Sequence, residues 1–170
     1  MTRIEPGTPM PAFRVRGVSG EELSIDRADS WELVVVYRGK HCPLCSRYLS
    51  TLNRLLDDFR SLGIRVIALS ADPREKAESQ AAEESWRFPI GYDLTVDQMR
   101  LLGLYVSAPR SPKETDRPFS EPGLFLVNPQ GRLHVVDVSN APFARPDLQT
   151  LLDGLRFLLA NDYPVRGTLV

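Results

Sequence analysis

The chain has 170 residues, 42% of them hydrophobic, and 21 basic side chains against 22 acidic ones. This is enough apolar material for one domain with its own core, and the near-cancelled charge excludes both a broad basic face for nucleic acid and an acidic tail. The longest apolar run, Leu33 to Tyr37, is strand length and falls far short of the roughly 20 residues of a membrane span.

The amino terminus, Met1 to Gly7, has one basic residue and lacks the apolar centre of a secretory signal, so the sequence reads as a single cytoplasmic domain over 1–170 with no membrane partner. After the proline-rich residues 6–11, Phe13 to Val18 alternates apolar and polar side chains, as a half-buried strand does. Ser19-Gly20 marks a turn, and Glu22 to Ile25 completes an N-terminal β-hairpin. Trp31 to Tyr37 is apolar apart from Glu32 and rich in valine, which predicts a central strand covered on both faces.

Apolar residues from Leu44 to Leu62 recur at spacings of three and four, predicting one helix ended by Gly63. Ile64 to Ser70 is the next buried strand. Asp72-Pro73-Arg74-Glu75 then offers an amino cap, a first-turn proline and a third-position glutamate for a helix running to about Glu84. Phe88-Pro89-Ile90 reads as an edge segment, because proline cannot donate to a ladder, and Thr95 to Leu102 as a short helix.

Residues 107–122 hold four prolines and little apolar content, predicting a loop or a poorly ordered lid. Leu124 to Val127 and Leu133 to Val138, joined by Asn128-Pro129-Gln130-Gly131, read as a hairpin. Pro146 to Ala160 carries a leucine stripe and forms the last helix, with a polar surface tail from Asn161. This order predicts an α/β fold, a three-layer α/β/α sandwich with a mixed central sheet.

Both cysteines lie where the central strand gives way to the first helix, at the carboxyl end of the strand, where open sheets place their sites. Pro43 fits the first helical position, making Cys42 the amino cap and placing Cys45 in the first turn. Unpaired backbone N–H groups, the helix dipole and the positive charge of Arg38, Lys40, His41 and Arg47 all favour thiolate there. The spacing sets each sulfur beside the other, so redox chemistry is the first reading. A metal site would need His41, His134 or carboxylates as further ligands, and two inert thiols are the plain alternative. His134 lies inside a predicted strand and reads as a packed or surface histidine.

Pro11-Ala12-Phe13, Val36-Tyr37, Cys42-Pro43-Leu44-Cys45, Ser70-Ala71-Asp72 and the run from Pro122 to Gly131 together resemble the thioredoxin-fold redoxins. The match is to the alkyl hydroperoxide reductase C/thiol-specific antioxidant (AhpC/TSA) superfamily, in its peroxiredoxin-like branch. The resemblance implies a thioredoxin-like sandwich and a thiol-dependent antioxidant enzyme that acts through a Cys42–Cys45 disulfide on hydroperoxides or disulfides. It further implies resetting by a thioredoxin- or glutathione-type donor, needs no cofactor, and permits a homodimer.

The peroxidase pattern Pro-x-x-x-Thr/Ser-x-x-Cys puts the attacking sulfur at Cys45, its hydroxyl position at Cys42 and its proline at Arg38. The peroxidase arginine before the hairpin is replaced by Pro122. In thioredoxin-like disulfide reductases the same proline resembles a cis-proline lining the groove, with Cys42 attacking and Cys45 resolving. On either template Arg38 and Lys40 would stabilise the thiolate.

Overall fold

The computed structural model describes residues 4–26 and 29–169; Met1 to Arg3, part of the stretch read for a signal, lie outside them. In chain order the elements are β1 (Arg14–Gly17), β2 (Glu22–Ser24), β3 (Trp31–Val36), α1 (Pro43–Arg54), α2 (Leu56–Ser61), β4 (Ile64–Leu69) and α3 (Arg74–Glu83). There follow β5 (Ile90–Tyr92), α4 (Val96–Leu101), β6 (Val106–Ser107), β7 (Phe119–Ser120), β8 (Gly123–Val127), β9 (Leu133–Val138) and α5 (Leu148–Ala160). Seven strands form one sheet in the order β2-β1-β5-β4-β3-β8-β9, and β6 and β7 pair separately. β3 runs parallel to β4 and β4 to β5, while β8 lies antiparallel to β3 and β1 to β5. The sheet is therefore mixed.

Side chains alternate across a strand, and in β3 both sets are buried. Leu33, Val35 and then Tyr37 join Leu49, Leu52, Phe59, Leu152 and Leu155 in one core layer, beneath α1, α2 and α5. Val34 and Val36 join Ile67, Leu69, Met99, Leu102 and Phe125 in the other, on the side of α4. Each fully buried Leu or Phe contributes about 1.5–3 kcal/mol, so the two-sided burial of β3 fixes where that strand ends and hence where the cysteines begin.

Four details depart from the sequence reading. The helix after the cysteines is interrupted at Leu55, where the Asn53 carbonyl accepts from Arg87 Nη2 at 3.1 Å; Gly63 does follow its end, at φ +73°. β5 is interior, between β1 and β4. Pro89 is tolerated because it precedes the strand and only its carbonyl is used, accepting from Ala68 N at 3.0 Å.

Asp72 makes no cap for α3, whose N-cap is Pro73 without a side-chain bond. The 107–122 segment is folded, bracketed by β6 and β7 and tied down by Lys76–Asp116 and Arg117–Asp93 pairs, each at 3.0 Å. The short helix and the last helix form as expected; Thr95 and Gln98 make a capping box for α4, Asp147 caps α5 by accepting from Thr150 N at 2.8 Å, and Tyr163 of the tail packs on Phe157 at 5.8 Å.

Candidate active site

The turn from β3 to α1 is specified by backbone hydrogen bonds. Tyr37 N donates to Leu69 O at 3.0 Å, continuing the parallel ladder one residue past the strand, and Cys42 N donates to Gly39 O at 3.1 Å, closing the turn. Gly39 has φ +132°, and a Cβ there would lie 2.7 Å from Asp72 Oδ1, so glycine is required both by conformation and by space. The Asp72 carboxylate is close because it accepts from Lys40 N at 2.6 Å. Burial raises the pKa of this carboxyl, against the lowering effect of the Lys40 N–H.

Cys42 occupies the N-cap of α1 with extended backbone, and Pro43 takes the first turn. A cap normally offers an oxygen to an orphan N–H; here Cys42 Sγ accepts from Cys45 N at 3.2 Å. Both thiols are free, with Cys42 2% exposed and Cys45 fully buried. A cavity of about 620 Å³ opens at Cys42 and does not reach Cys45. The β3–α1 turn contributes Arg38, His41 and Pro43 to its wall, and the 107–122 segment contributes Arg110, Lys113 and Glu114.

The two sulfurs are electrostatically unequal. Hydrogen bonding from the Cys45 thiol, helped by the Cys45 backbone N–H and the charges of Arg38 and Arg145, lowers the Cys42 pKa to about 6 against the opposing effect of burial. Cys45 is pushed up, first by donating to Cys42 and then by burial. The arrangement is one thiolate within reach of the cavity and one buried thiol behind it.

Arg38 is half-shielded, with Nε 3.4 Å from Glu121 Oε2, Nη2 3.7 Å from Glu114 Oε1, and its guanidinium carbon 4.8 Å from the Phe119 centroid. His41 meets the same ring edge-on at 4.6 Å. Burial and then the Arg38 charge lower its pKa, so His41 contributes a neutral wall and not the positive charge expected of it.

Lys40 differs from expectation too. Its Nζ lies 2.7 Å from both Ser79 Oγ and Glu83 Oε1 on α3, so it braces the turn through α3 and its backbone N–H. Pro122 is the third correction. No peptide bond among the described residues is cis, and Pro122 does not line the cavity at Cys42. It directly precedes β8, with Glu121 N donating to Tyr105 O and Ser139 N to Pro122 O.

Four residues that shape the site or the turn that carries it were not singled out for it from the sequence: Asp72, Glu114, Phe119 and Arg145. Of these only Asp72 carries a sequence signal, as a helix cap and as part of the Ser70-Ala71-Asp72 run, and neither points to the Lys40 N–H. His134 packs edge-on against Trp31 at 5.1 Å. Among the described residues no three His, Cys, Asp or Glu side chains gather as a metal site, and no helix is long and apolar enough to cross a membrane.

The sequence matches the profile of the AhpC/TSA family over residues 6–136. It is 27% identical over 105 residues to a Mycobacterium tuberculosis protein named as a peroxiredoxin, covering 61% of this chain and 67% of that one. The thiol-disulfide oxidoreductase ResA of Bacillus cereus is 21% identical over 132 residues, covering 77% of this chain and 68% of its own. A solved structure of peroxiredoxin 6 from Arenicola marina aligns with TM-score 0.74 at 23% identity, covering 94% of this chain and 76% of that one.

Proposed function

The chain belongs to the AhpC/TSA family, and on that footing we propose that it is a peroxiredoxin-like, thiol-dependent antioxidant oxidoreductase. It reduces hydroperoxides or disulfides through a reversible Cys42–Cys45 disulfide, with Cys42 attacking and Cys45 resolving. One observation carries the assignment of roles: Cys42 Sγ caps the helix, accepting from Cys45 N at 3.2 Å, and borders the cavity, whereas Cys45 does neither.

In the first step the Cys42 thiolate attacks one peroxide oxygen. The O–O bond breaks, the oxygen stays on Cys42 as a sulfenic acid, and the alkoxide leaves and takes up a proton. In the second step Cys45 loses its proton and its thiolate attacks the Cys42 sulfur. The S–S bond forms, the S–O bond breaks, and the hydroxide leaves as water. With a disulfide substrate the same two attacks expel two thiolates in turn. A thioredoxin- or glutathione-type donor returns two electrons and two protons.

Within this reaction Arg38 favours the Cys42 thiolate, Pro43 sets the first turn that aims the Cys45 N–H at it, and Asp72 holds the turn through Lys40 N. We place the reaction in the cytoplasm, in one domain spanning 1–170. The test is stopped-flow mixing of reduced protein with hydrogen peroxide and with a model disulfide, using wild type, Cys42→Ser and Cys45→Ser. Cys42→Ser should lose the fast phase and Cys45→Ser should keep it; a fast phase that survives in Cys42→Ser but not in Cys45→Ser would reverse the roles.

A second reading, a general disulfide reductase with no peroxide preference, is favoured by one observation. Arg38, the guanidinium in the cavity wall, already faces Glu114 and Glu121. Insulin reduction that outpaces peroxide turnover would support it.

A further inference from the structure

The resolving step has an electrostatic problem that the attacking step does not. Cys42 has a backbone N–H aimed at its sulfur and borders the cavity, but Cys45 is fully buried and must nevertheless become an anion before it can close the disulfide. Burying an uncompensated charge is costly, so closure is eased by a cation held near the pair.

The segment between β9 and α5 supplies one. Arg145 lays its guanidinium on the ring of Tyr48, 4.2 Å from the centroid. Tyr48 follows Cys45 by three positions in α1, which makes the two side chains neighbours on one helix face. The segment is locked there, because Tyr48 Oη donates to Pro146 O at 2.8 Å and Arg145 Nε donates to Pro142 O at 2.9 Å. With Nε committed, the buried Nη1 is left without a hydrogen-bond partner. An orphaned buried donor on a guanidinium is expensive, and it persists here beside the helix face that carries a sulfur due to ionise.

We infer that Arg145 is the counter-charge of the resolving step, its guanidinium holding the negative charge when Cys45 becomes the thiolate that closes the disulfide. The inference rests on the reading in which Cys42 attacks and Cys45 resolves. It gives the two arginines different emphasis: Arg38, in the cavity wall, acts chiefly on the attack, and Arg145, stacked on Tyr48 beside α1, acts chiefly on the closure.

The surrounding groups agree with this division. Arg145 is the cation that favours ionisation of Cys45, where Arg38 acts through a backbone hydrogen bond, and the field of Arg145 reaches Cys42 as well. Tyr37 and Tyr48, the tyrosines beside Cys45, are both kept neutral by burial, and the carboxylates of Asp137 and Asp147 also act on Tyr48. The role is the same for a peroxide or a disulfide substrate, since both routes pass through the Cys45 thiolate.

The experiment compares wild type, Arg145→Gln and Arg145→Lys in reduced form, mixed with hydrogen peroxide. Dimedone capture of the sulfenic acid with peptide mass spectrometry reads the first step, and disulfide formation reads the second. In Arg145→Gln the first step loses the lesser of the two arginine fields at Cys42 and should slow by no more than about threefold. The second should slow by at least about tenfold, with the Cys42–dimedone adduct accumulating and the pH midpoint of the second step moving upward. Arg145→Lys keeps the charge but loses the stacking fork, and should recover most of the second-step rate.

Equal slowing of the second step by Gln and Lys, an unchanged second step in Arg145→Gln, or a proportional fall of both steps would each overturn the inference. Cys45→Ser separates it from the reading beneath. A dimedone adduct on Cys42 in that variant, together with an unaffected second step in Arg145→Gln, overturns the role of Arg145 alone; absence of the adduct overturns both.

Discussion

The cavity at Cys42 has two walls held by different forces. One is the β3–α1 turn, in which Gly39, Lys40 and Cys42 are fixed by backbone hydrogen bonds and by the buried Asp72 carboxylate. The other is the 107–122 segment, clasped to the body by ion pairs such as Lys76–Asp116 and Arg117–Asp93, whose side chains are 36–56% exposed. Exposed pairs are individually weak and screened by salt, whereas a buried hydrogen-bonded turn loses heavily when one member is removed. The turn should therefore govern the ionisation of the sulfur and the segment should govern access to it.

That division can be broken at four places, in falling order of expected effect. Gly39→Ala forces a side chain into φ +132° and against Asp72. It should lower stability by about 2–4 kcal/mol in denaturant unfolding and displace the cap, slowing the first step with peroxide. A variant as stable and as fast as wild type would show that the turn is not rigid. Asp72→Ala leaves Lys40 N without its acceptor and should cost about 1–3 kcal/mol in the same assay, with a slower first step and an unchanged 107–122 segment.

Glu114→Gln removes a carboxylate that faces Arg38. The cationic field at Cys42 then grows, so its pH midpoint should fall by less than about one unit, while bulky alkylating reagents gain more rate than small ones. An upward shift would mean that Glu114 does not oppose Arg38. Lys76→Ala, which opens one clasp, should shift the thermal midpoint by less than about 2 °C. Its signature is lost salt dependence of access, read by thiol alkylation at low and high ionic strength.

The same contrast explains what could be read from the sequence. The sheet, its two-sided central strand and the placement of both cysteines at a helix start follow from periodicity and from Pro43, which are local signals. The α/β sandwich and the mixed sheet came with them.

What escaped was set by tertiary context. Asp72 has the sequence surroundings of a helix cap, yet its carboxylate turns to Lys40 N because the β4 end lies beside the β3 end in the sheet. Lys40 and His41 are cations on paper, but one ammonium is spent on α3 and the other ring is neutralised by burial. Pro122 resembles a groove-lining cis-proline in sequence and is a trans residue leading into β8 in the fold. Arg145 is remote in sequence and carries no motif; only the packing of the β9–α5 segment on Tyr48 reveals it.

The central claim is that Cys42, and not Cys45, is the thiolate of the reduced protein. Alkylation of the fully reduced chain with a small haloacetamide across pH, resolved by peptide mass spectrometry, tests it directly. The account predicts that Cys42 is labelled first, at a rate that falls as pH drops through about 6 and levels off above it, with Cys45 unlabelled until much higher pH. Labelling of Cys45 first, or a Cys42 midpoint at the free-cysteine value of about 8.5, would contradict it.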